Sequence, residues 1–455
     1  MSTLSLPRTE RGRALLVLAL AAAVTAFTAT VPLLRDFFDL RVYYGAVHTW
    51  VHHDGRIYDY RVPGTEYGFT YPPFAALAML PLAAMGRTTA VAASLLVNLT
   101  ALAVVMRILA GAEWRRHGWF RWSLALCVLA LFEPLRDTFS FGQVNLVLLA
   151  LVLADCRLLA TGRTRWAGVG IGLAAAVKLT PALFIGLLLL AGRRRAAGTA
   201  TVVALAATGL AACADPDASR FYWTRALWDT SRVGRLDYVS NQSLQGILAR
   251  LGEPDRALWA LGVLLVLLVW VVRTRRAVAA GEWTAAFALT GATACLVSPI
   301  TWVHHLVWLL PSFVVLARAG YPRIASALYA VLCTSVVWLW FEDASGVDGF
   351  LGSNLYTWIT LGLLLGLPAG QSPAARPPLA RSTTDTAPAP STARPVTAAV
   401  CDQSASSSVA GEAAAATGAA DGADFEPARS PSREPTGSTS PAAPNPQSSS
   451  SRASS

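Results

Sequence analysis

The sequence is poor in charged residues and shows no cysteine pairs. Charged residues make up 14% of its 455 residues, whereas hydrophobic residues make up 54%, a balance that excludes an ordinary soluble domain. Five of the six cysteines lie inside apolar runs and no pair has metal-ligand spacing, so we interpret them as small core residues. No soluble α/β segment is visible, so a nucleotide-binding fold of that class is not expected.

Basic residues exceed acidic ones, 37 to 27, and give a formal net charge of +10. In a soluble protein this excess would suggest nucleic acid as a partner. Here the arginines are seldom interleaved with aromatic residues, and most lie in loops between apolar runs. We therefore interpret them as membrane-topology signals, with membrane lipids and not nucleic acid as the surroundings.

Apolar runs long enough to cross a bilayer recur along the first 370 residues. A crossing needs roughly 20 helical residues. With a cytoplasmic N-terminus, alternating the runs leaves most arginine-rich loops inside. The sequence thus predicts an all-α, polytopic integral membrane helical bundle in the cell (plasma) membrane, with both termini cytoplasmic and about ten crossings. These crossings are 14–34, 88–111, 122–136, 142–160, 196–214, 257–272, 283–297, 302–317, 324–341 and 356–367.

Two segments break this alternation. Segment 72–86 is short and Pro-rich, which predicts a half-helix or an interfacial segment. Segment 167–192 has arginines on both flanks and Lys178-Leu179-Thr180-Pro181 in its middle. We expect one re-entrant helix pair that meets at this tetrapeptide, with Thr180 as N-cap and Pro181 as the first helical residue.

The chain changes character at residue 371. From there to residue 455 it is rich in Pro, Ala, Ser and Thr with scattered charge. Such a composition cannot bury a core, so the sequence predicts a disordered cytoplasmic tail at 371–455 that follows a membrane domain at 1–370.

Unusual polar residues gather at the predicted face opposite the arginine-rich loops. Asp36 and Asp39 are three residues apart, so on a helix they would share a face, and Tyr43 lies one turn beyond Asp39. Two nearby carboxylates close to a low dielectric push one pKa upward, which suits a general base. The alternative is a solvated helix end that is paired with Arg35 and Arg41.

Two further motifs carry a cation or histidines. Lys178 lies mid-run beside a helix start, which suits an anion such as phosphate, although a lysine that snorkels to an interface is the alternative. In the motif SPITWVHHLVW, Ser298 and Pro299 fit an N-cap and first turn, and His304 and His305 follow. Successive helical residues point about 100° apart, so at most one histidine faces a shared site. The pair could bind a metal, but scattered carboxylates make phosphate the better interpretation.

Amide side chains at predicted helix ends complete the set. Gln143 and Asn145 end the run FEPLRDTFSFGQVN, and Asn241 and Gln242 lie in SNQSLQG. Both pairs could donate hydrogen bonds to sugar hydroxyls or cap their own helices.

In their order along the chain, these motifs resemble the membrane glycosyltransferases of the GT-C class. They resemble most closely glycosyltransferase family 87, the polyprenyl-phosphomannose-dependent α-1,2-mannosyltransferases. The likeness covers roughly residues 33–368. It rests on Asp39 with Val42, Tyr43 and Ala46, Tyr71-Pro72-Pro73, Gly142-Gln143-Val144-Asn145, Lys178-Leu179-Thr180-Pro181, Asn241-Gln242-Ser243, Ser298-Pro299, Trp302, His304 and His305.

The resemblance implies an inverting, metal-independent transfer of mannose outside the cytoplasm, from a polyprenyl phosphate to an acceptor glycan or glycolipid. Asp39 would be the base, with no cofactor. Lys178, His304 and His305 would hold the donor phosphate, and the sugar contacts would come from Tyr43, Gln143, Asn145, Asn241 and Gln242. The alternative is a membrane transporter or lipid flippase, since broken helices also build transport sites. A non-catalytic scaffold would not explain Asp39, Lys178 and the histidines together.

Overall fold

The computed structural model describes residues 7, 9–30, 36–252 and 255–370. Within these ranges the protein is helical, and a single isolated bridge pairs Arg61 with Gly68. The all-α prediction is confirmed, whereas the expected disordered tail lies outside the described residues. The α-helices are α1 (Glu10–Thr30), α2 (Phe38–His52), α3 (Pro73–Ala78), α4 (Arg87–Ala110), α5 (Glu113–Arg116), α6 (Trp119–Leu131), α7 (Glu133–Phe141), α8 (Asn145–Ala160), α9 (Val169–Val177), α10 (Leu183–Leu190), α11 (Arg194–Ala214), α12 (Pro216–Thr224), α13 (Leu244–Leu251), α14 (Arg256–Ala279), α15 (Trp283–Val297), α16 (Leu310–Arg318), α17 (Pro322–Val331), α18 (Gly346–Ser353) and α19 (Leu355–Gly366).

Short 3₁₀-helices join several of these elements. They are Leu80–Ala84, Thr164–Trp166, Thr180–Ala182, Ala226–Trp228, Thr230–Arg232, Val303–Leu309 and Val336–Trp340. The segment predicted to be too short to cross, 72–86, holds only α3 and the first of these 3₁₀-helices.

Among the described residues, four helices are long and apolar enough to cross a membrane alone: α1, α4, α11 and α14. A fifth crossing results if α7 and α8 form one broken span, since the chain bends by 118° between these two helices. Other apolar helices are shorter; α15, with 15 residues, is about 22 Å long against a hydrocarbon core of about 30 Å. The helices fit a multi-pass membrane protein, but the count of ten crossings is not confirmed.

The predicted helix over 122–136 is wrong. Helix α6 ends at Leu131, and α7 begins at Glu133 with Pro134 in its first turn. Proline lacks the N–H that a continuing helix needs, and it is tolerated in a first turn. Helix α14 departs from prediction in the other direction, because it continues past residue 272 to Ala279 through an arginine-rich stretch. Arginine is a good helix former, so charge alone does not end a helix.

A glycine makes the sharp turn between α7 and α8. Gly142 has φ +69°, and a Cβ added to it would lie 2.7 Å from the Leu40 Cβ of α2. The Gly142 N–H donates to the Phe139 carbonyl oxygen and the Gln143 N–H to that of Thr138. Only glycine fits both the left-handed backbone and the close approach to α2, and the turn sets Gln143 and Asn145 beside that helix.

The predicted break at Lys178-Leu179-Thr180-Pro181 is confirmed. Helix α9 ends at Val177, and the 3₁₀-helix Thr180–Ala182 leads into α10. The N-cap assigned to Thr180 is wrong, because Leu179 takes the capping position and no side chain caps this helix. Pro181 lies in the first turn, which is where its missing N–H is tolerated. The return of both half-helices to one side stays a prediction.

Two hydrophobic clusters flank the polar residues of interest. The larger one centres on α8 and α15, and α15 buries 13 of its 15 residues. The smaller one packs α2 against α3 and the segment before it through Val47, Ile57 and Phe69. Both clusters include Val144 and Val177 as partly buried members, so the polar residues next to these valines lie where the clusters meet.

Candidate active site

Helix α2 begins after a strained turn. Asp36 and Phe37 have φ of 46° and 50°, and the Phe37 N–H donates to the Ser140 carbonyl oxygen of α7 at 2.9 Å. The helix starts only at Phe38, so the expectation that Asp36 and Asp39 share a helix face is wrong. Asp36 is exposed and pairs with Arg41 at 2.7 Å, whereas Asp39 lies in the first turn and faces inward.

Asp39 is a buried carboxylate that lies beside Gln143 and keeps one oxygen without a hydrogen-bond partner among the described residues. The Gln143 side chain hydrogen-bonds to it. Its Oδ2 is buried and has no hydrogen-bond partner within the described part of the chain. Burial raises the pKa of the Asp39 carboxyl to about 6, against the lowering effects of the Gln143 hydrogen bond and of the charge on Lys178.

Tyr71 connects Asp39's partner to the lysine. Its hydroxyl donates to Gln143 Oε1 at 3.0 Å and accepts from the Tyr43 hydroxyl at 3.0 Å and from Lys178 Nζ at 3.3 Å. Lys178 Nζ also lies 5.0 Å from the centre of the Tyr71 ring, within cation–π range. The Tyr58 hydroxyl donates to the Tyr71 carbonyl oxygen at 2.8 Å and fixes the backbone of this residue.

Lys178 lies at the break between α9 and the next 3₁₀-helix and reaches two further partners. Its Nζ donates to Asn145 Oδ1 at 3.2 Å and lies 2.8 Å from His305 Nε2. These groups line a narrow cavity together with Thr180, Thr301 and Trp308. Lys178, whose backbone is extended at the helix break, thus contacts three segments of the chain that are distant in sequence: those with Tyr71, Asn145 and His305.

The hydrogen bonds from Lys178 to Asp39 all point the same way. Because the Tyr71 hydroxyl has one hydrogen and donates it to Gln143 Oε1, the Gln143 Nε2 is the end that faces Asp39. Asn145 Nδ2 donates to the same Oε1 at 3.4 Å and supports that orientation. A directed series therefore runs from the Lys178 amine through Tyr71 and Gln143 to the carboxylate.

The backbone assigns the tautomer of His305. The Trp302 N–H donates to His305 Nδ1 at 3.1 Å, so in a neutral ring the hydrogen resides on Nε2. That hydrogen points towards Lys178 Nζ. When the amine is protonated, it and the imidazole N–H face each other as two donors, whereas a neutral amine accepts the Nε2 hydrogen.

His304 takes a different position from its neighbour. Its ring packs against Phe141 at 5.2 Å between centroids and against His305 at 4.7 Å. Of the two histidines, His305 is thus the one that contacts Lys178. The N-cap predicted at Ser298 and Pro299 is wrong, because Ser298 ends α15 and the following 3₁₀-helix begins at Val303 after Trp302.

Asn241 and Gln242 are fully engaged in holding backbone. Asn241 Nδ2 donates to the carbonyl oxygens of Leu236 and Pro299, and its Oδ1 accepts from the Thr301 N–H at 2.9 Å. Gln242 Nε2 donates to the carbonyl oxygens of Val239 and Ser353 at 2.7 Å each. Its Oε1 accepts from the Thr357 N–H and hydroxyl. The structure does not bring this pair into the Lys178 cluster; it uses the pair to fix the loop that leads to His305.

The structure therefore unites Asp39, Tyr43, Gln143, Asn145, Lys178 and His305, and it adds Tyr71. Tyr71 was quoted from the sequence only as part of the motif Tyr71-Pro72-Pro73. Its distance in sequence from both Gln143 and Lys178 left no local pattern to reveal the contact. Within the described ranges, no three His, Cys, Asp or Glu side chains are grouped so that they could hold a metal ion.

Comparison with known proteins gives one consistent result. The profile of glycosyltransferase family 87 matches residues 69–299. A Mycolicibacterium smegmatis protein named polyprenol-phosphate-mannose-dependent α-(1-2)-phosphatidylinositol mannoside mannosyltransferase is 34% identical over 338 residues, covering 66% of this chain and 74% of the relative. A Mycobacterium tuberculosis protein of the same name is 35% identical over 322 residues, with the same coverage of both chains. A second protein from that species, named as the corresponding phosphatidylinositol pentamannoside mannosyltransferase, is 32% identical over 319 residues, covering 67% and 72%. No solved structure matches.

Proposed function

The chain belongs to glycosyltransferase family 87, and on that premise we propose that it transfers mannose from a polyprenyl phosphate to a hydroxyl of a glycolipid acceptor. The names of its relatives support the donor, the sugar and a phosphatidylinositol mannoside as the acceptor class. The transfer inverts the anomeric carbon and takes place on the extracytoplasmic side of the cell membrane.

The observation that carries the mechanism is the position of Asp39. Its Oδ2 has no hydrogen-bond partner in the described structure, and a hydrogen bond from the Gln143 side chain orients the carboxylate. As the acceptor hydroxyl attacks the anomeric carbon, this carboxylate oxygen takes the hydroxyl proton. A base with a raised pKa holds that proton better than an exposed carboxylate would, which favours general-base catalysis near neutral pH.

The leaving group is a lipid phosphate, and Lys178 with His305 is proposed to hold it. Lys178 Nζ and His305 Nε2 lie 2.8 Å apart and face each other. A phosphate oxygen that enters between them would accept from both and relieve their opposition. Positive charge fixed at this point stabilises the negative charge that develops as the bond to mannose breaks. His304 supports the fold beside Asn145, whose Nδ2 donates to its carbonyl oxygen at 3.4 Å.

The remaining polar residues take lesser roles. Tyr43, Gln143 and Asn145 lie near enough to Asp39 and Lys178 to meet the sugar or the acceptor. Asn241 and Gln242 act through the loop that positions His305, since their amides are already bonded to the protein. Membership of a transferase family favours this enzyme over the transporter or flippase alternative.

Asp39→Asn tests the base directly. The amide keeps the shape of the side chain but cannot accept the hydroxyl proton, so transfer of labelled mannose from polyprenyl phosphate should fall by about 10²–10⁴-fold. The matched control is Asp36→Asn, which removes an exposed carboxylate three residues away and should leave the rate unchanged. Equal activity in wild type and Asp39→Asn membranes would exclude Asp39 as the base.

The pH profile provides a second measurement of the same group. Burial raises the Asp39 pKa to about 6, and only the ionised form accepts a proton. The rate should therefore fall as the pH drops through about 6, by roughly tenfold at pH 5. An acid limb near the ordinary pKa of an exposed aspartate would contradict the assignment.

A further inference from the structure

A second site lies at the other end of the helix bundle. A cavity of about 720 Å³ opens between α19 and the pair α16 and α17, within the usual size range of small-molecule sites. Its walls are largely apolar, with Leu328 and Ile359 among them. Gly362 and Gly366 present a smooth face of α19 to it, and a Cβ added to either would meet nothing within 4 Å in the described structure.

The polar side chains that line this cavity can donate hydrogen bonds, and no Asp or Glu is among its lining residues. Among its lining residues Arg273 is the charged one, and its guanidinium binds the carbonyl oxygens of Leu365 and Leu367. Its Nε and the Trp358 indole N–H are buried and have no acceptor in the described part of the chain. Tyr321 lines the cavity and is exposed, as expected of a tyrosine at a membrane interface.

Helix α15 shows that this cavity and the Lys178 cluster lie at opposite ends of the bundle. Cys295, near its C-terminus, lines the narrow cavity with Lys178. Glu282, just before its N-terminus, accepts from the Gly370 N–H, next to the lining residue Ala369. Cys295 lies 13 residues beyond Glu282, so helical rise separates these points by about 20 Å.

Basic residues surround the end of the bundle that carries the cavity. Close to it in sequence lie further exposed arginines on α14, α16 and α17: Arg275, Arg276, Arg318 and Arg323. An excess of arginine near the ends of crossing helices marks the cytoplasmic side, where anionic lipids give the surface a negative potential. The charge of the rim is therefore complementary to an acidic headgroup.

We propose that this cavity binds one anionic phospholipid of the leaflet on the arginine-rich side. An acyl chain lies against Gly362 and Gly366, and the phosphate lies at the Arg273 rim. A packed second copy of α19 would use the glycine face but would leave the arginine without a counter-ion. The proposal does not depend on the transferase mechanism, because the two sites share no residue.

Native mass spectrometry of the full chain in detergent tests the proposal, with phosphatidylglycerol and phosphatidylcholine of identical acyl chains as probes. Wild type should retain one phosphatidylglycerol per chain about fivefold more tightly than phosphatidylcholine. Gly362→Leu fills open space and should weaken that binding at least tenfold. Gly209→Leu is the matched control, because Gly209 of α11 is equally exposed and unpacked and should leave binding unchanged.

Three results would overturn the proposal. One is equal retention of the two lipids by wild type. Another is undiminished phosphatidylglycerol binding in Gly362→Leu. The third is a lipid-free dimer that this substitution abolishes, which would identify the glycine face as a protein interface. Arg273→Gln sharpens the charge argument: it should remove the preference for the anionic lipid, and a retained preference would contradict the role of Arg273.

Discussion

The two amide pairs of this protein have similar side chains and opposite surroundings. Gln143 and Asn145 follow a turn at the end of α7 and meet the Lys178 amine, the Tyr71 hydroxyl and the Asp39 carboxylate. Asn241 and Gln242 precede α13 and meet only groups that they hold in place. The first pair orients titratable side chains next to an available oxygen, whereas the second closes off every donor and acceptor it has.

The comparison distinguishes amides that can take part in the reaction from amides that only stabilise the fold. An amide that bonds to backbone on all sides stabilises one conformation and has nothing left for a ligand. An amide bonded to ionisable side chains fixes their direction and can still exchange a partner. The second pair nevertheless serves the first, because Asn241 binds Pro299 and Thr301 in the loop that leads to His305.

Of the substitutions that compare the two regions, the largest effects should come from replacing Lys178 beside the first amide pair and Arg250 beside the second. Lys178→Ala removes the proposed phosphate contact and should lower transfer by about 10²–10³-fold, with the main loss in use of the donor. Arg250→Ala, in the second region, removes bonds to Asn354 and to the carbonyl oxygens of Tyr238 and Asn241. It should lower the free energy of unfolding by about 1–3 kcal/mol while the rate per folded molecule stays the same.

Steady-state assays with varied donor and acceptor, together with thermal unfolding in detergent, distinguish these outcomes. A Lys178→Ala protein that loses only affinity for the acceptor would contradict its assignment. An Arg250→Ala protein that is stable but inactive would remove the distinction between the regions.

The next effect concerns the glutamines themselves. Gln143→Ala takes away the hydrogen bond that orients the Asp39 carboxylate, so the turnover rate should fall by about 10–100-fold. The fold is destabilised as well, because the Tyr71 hydroxyl loses its acceptor, so the rate is compared per folded molecule. Gln242→Ala leaves the carbonyl oxygens of Val239 and Ser353 without a donor and should destabilise the fold by about 1–3 kcal/mol at an unchanged rate per folded molecule. The reverse pattern in the two variants would refute the comparison.

The smallest effect tests the link within the first region. Tyr71→Phe removes the hydroxyl between Lys178 and Gln143 and should lower the turnover rate about fivefold, because the bond that orients Gln143 is lost. Tyr43→Phe is the control, since it deletes only a donor to that same hydroxyl. We expect the first variant to move the acid limb of the pH profile and the second to leave it in place. Equal shifts in both would show that Tyr71 has no special part in orienting Gln143.

Sequence reasoning succeeded where local chemistry determines structure. The break at Lys178 to Pro181 follows from a proline in an apolar run, and α4, α11 and α15 end within two residues of their predicted limits. It failed where two patterns compete: Pro134 ends α6 early, and the strained turn at Asp36 and Phe37 separates two aspartates that spacing alone would place together.

The sequence predicted which residues belong to the site better than it predicted which of them contact one another. Asp39, Lys178 and His305 stand out because charge and imidazole are rare in apolar surroundings. Tyr71 and the different roles of the two amide pairs depend on contacts between residues tens to hundreds of positions apart. No periodicity or spacing encodes which amide meets backbone and which meets a lysine, since both pairs occupy the same kind of helix end.

The long separation in sequence between these partners also determines the order in which the ribosome makes them. Lys178 and His305, which meet at 2.8 Å, are separated by 127 positions. The ribosome therefore delivers Asp39, Tyr71, Gln143 and Lys178 to the bilayer while the imidazole is still untranslated. A nascent chain halted before residue 305 carries the carboxylate and the amine but not the ring that faces the amine, so the proposed site is completed only late in synthesis.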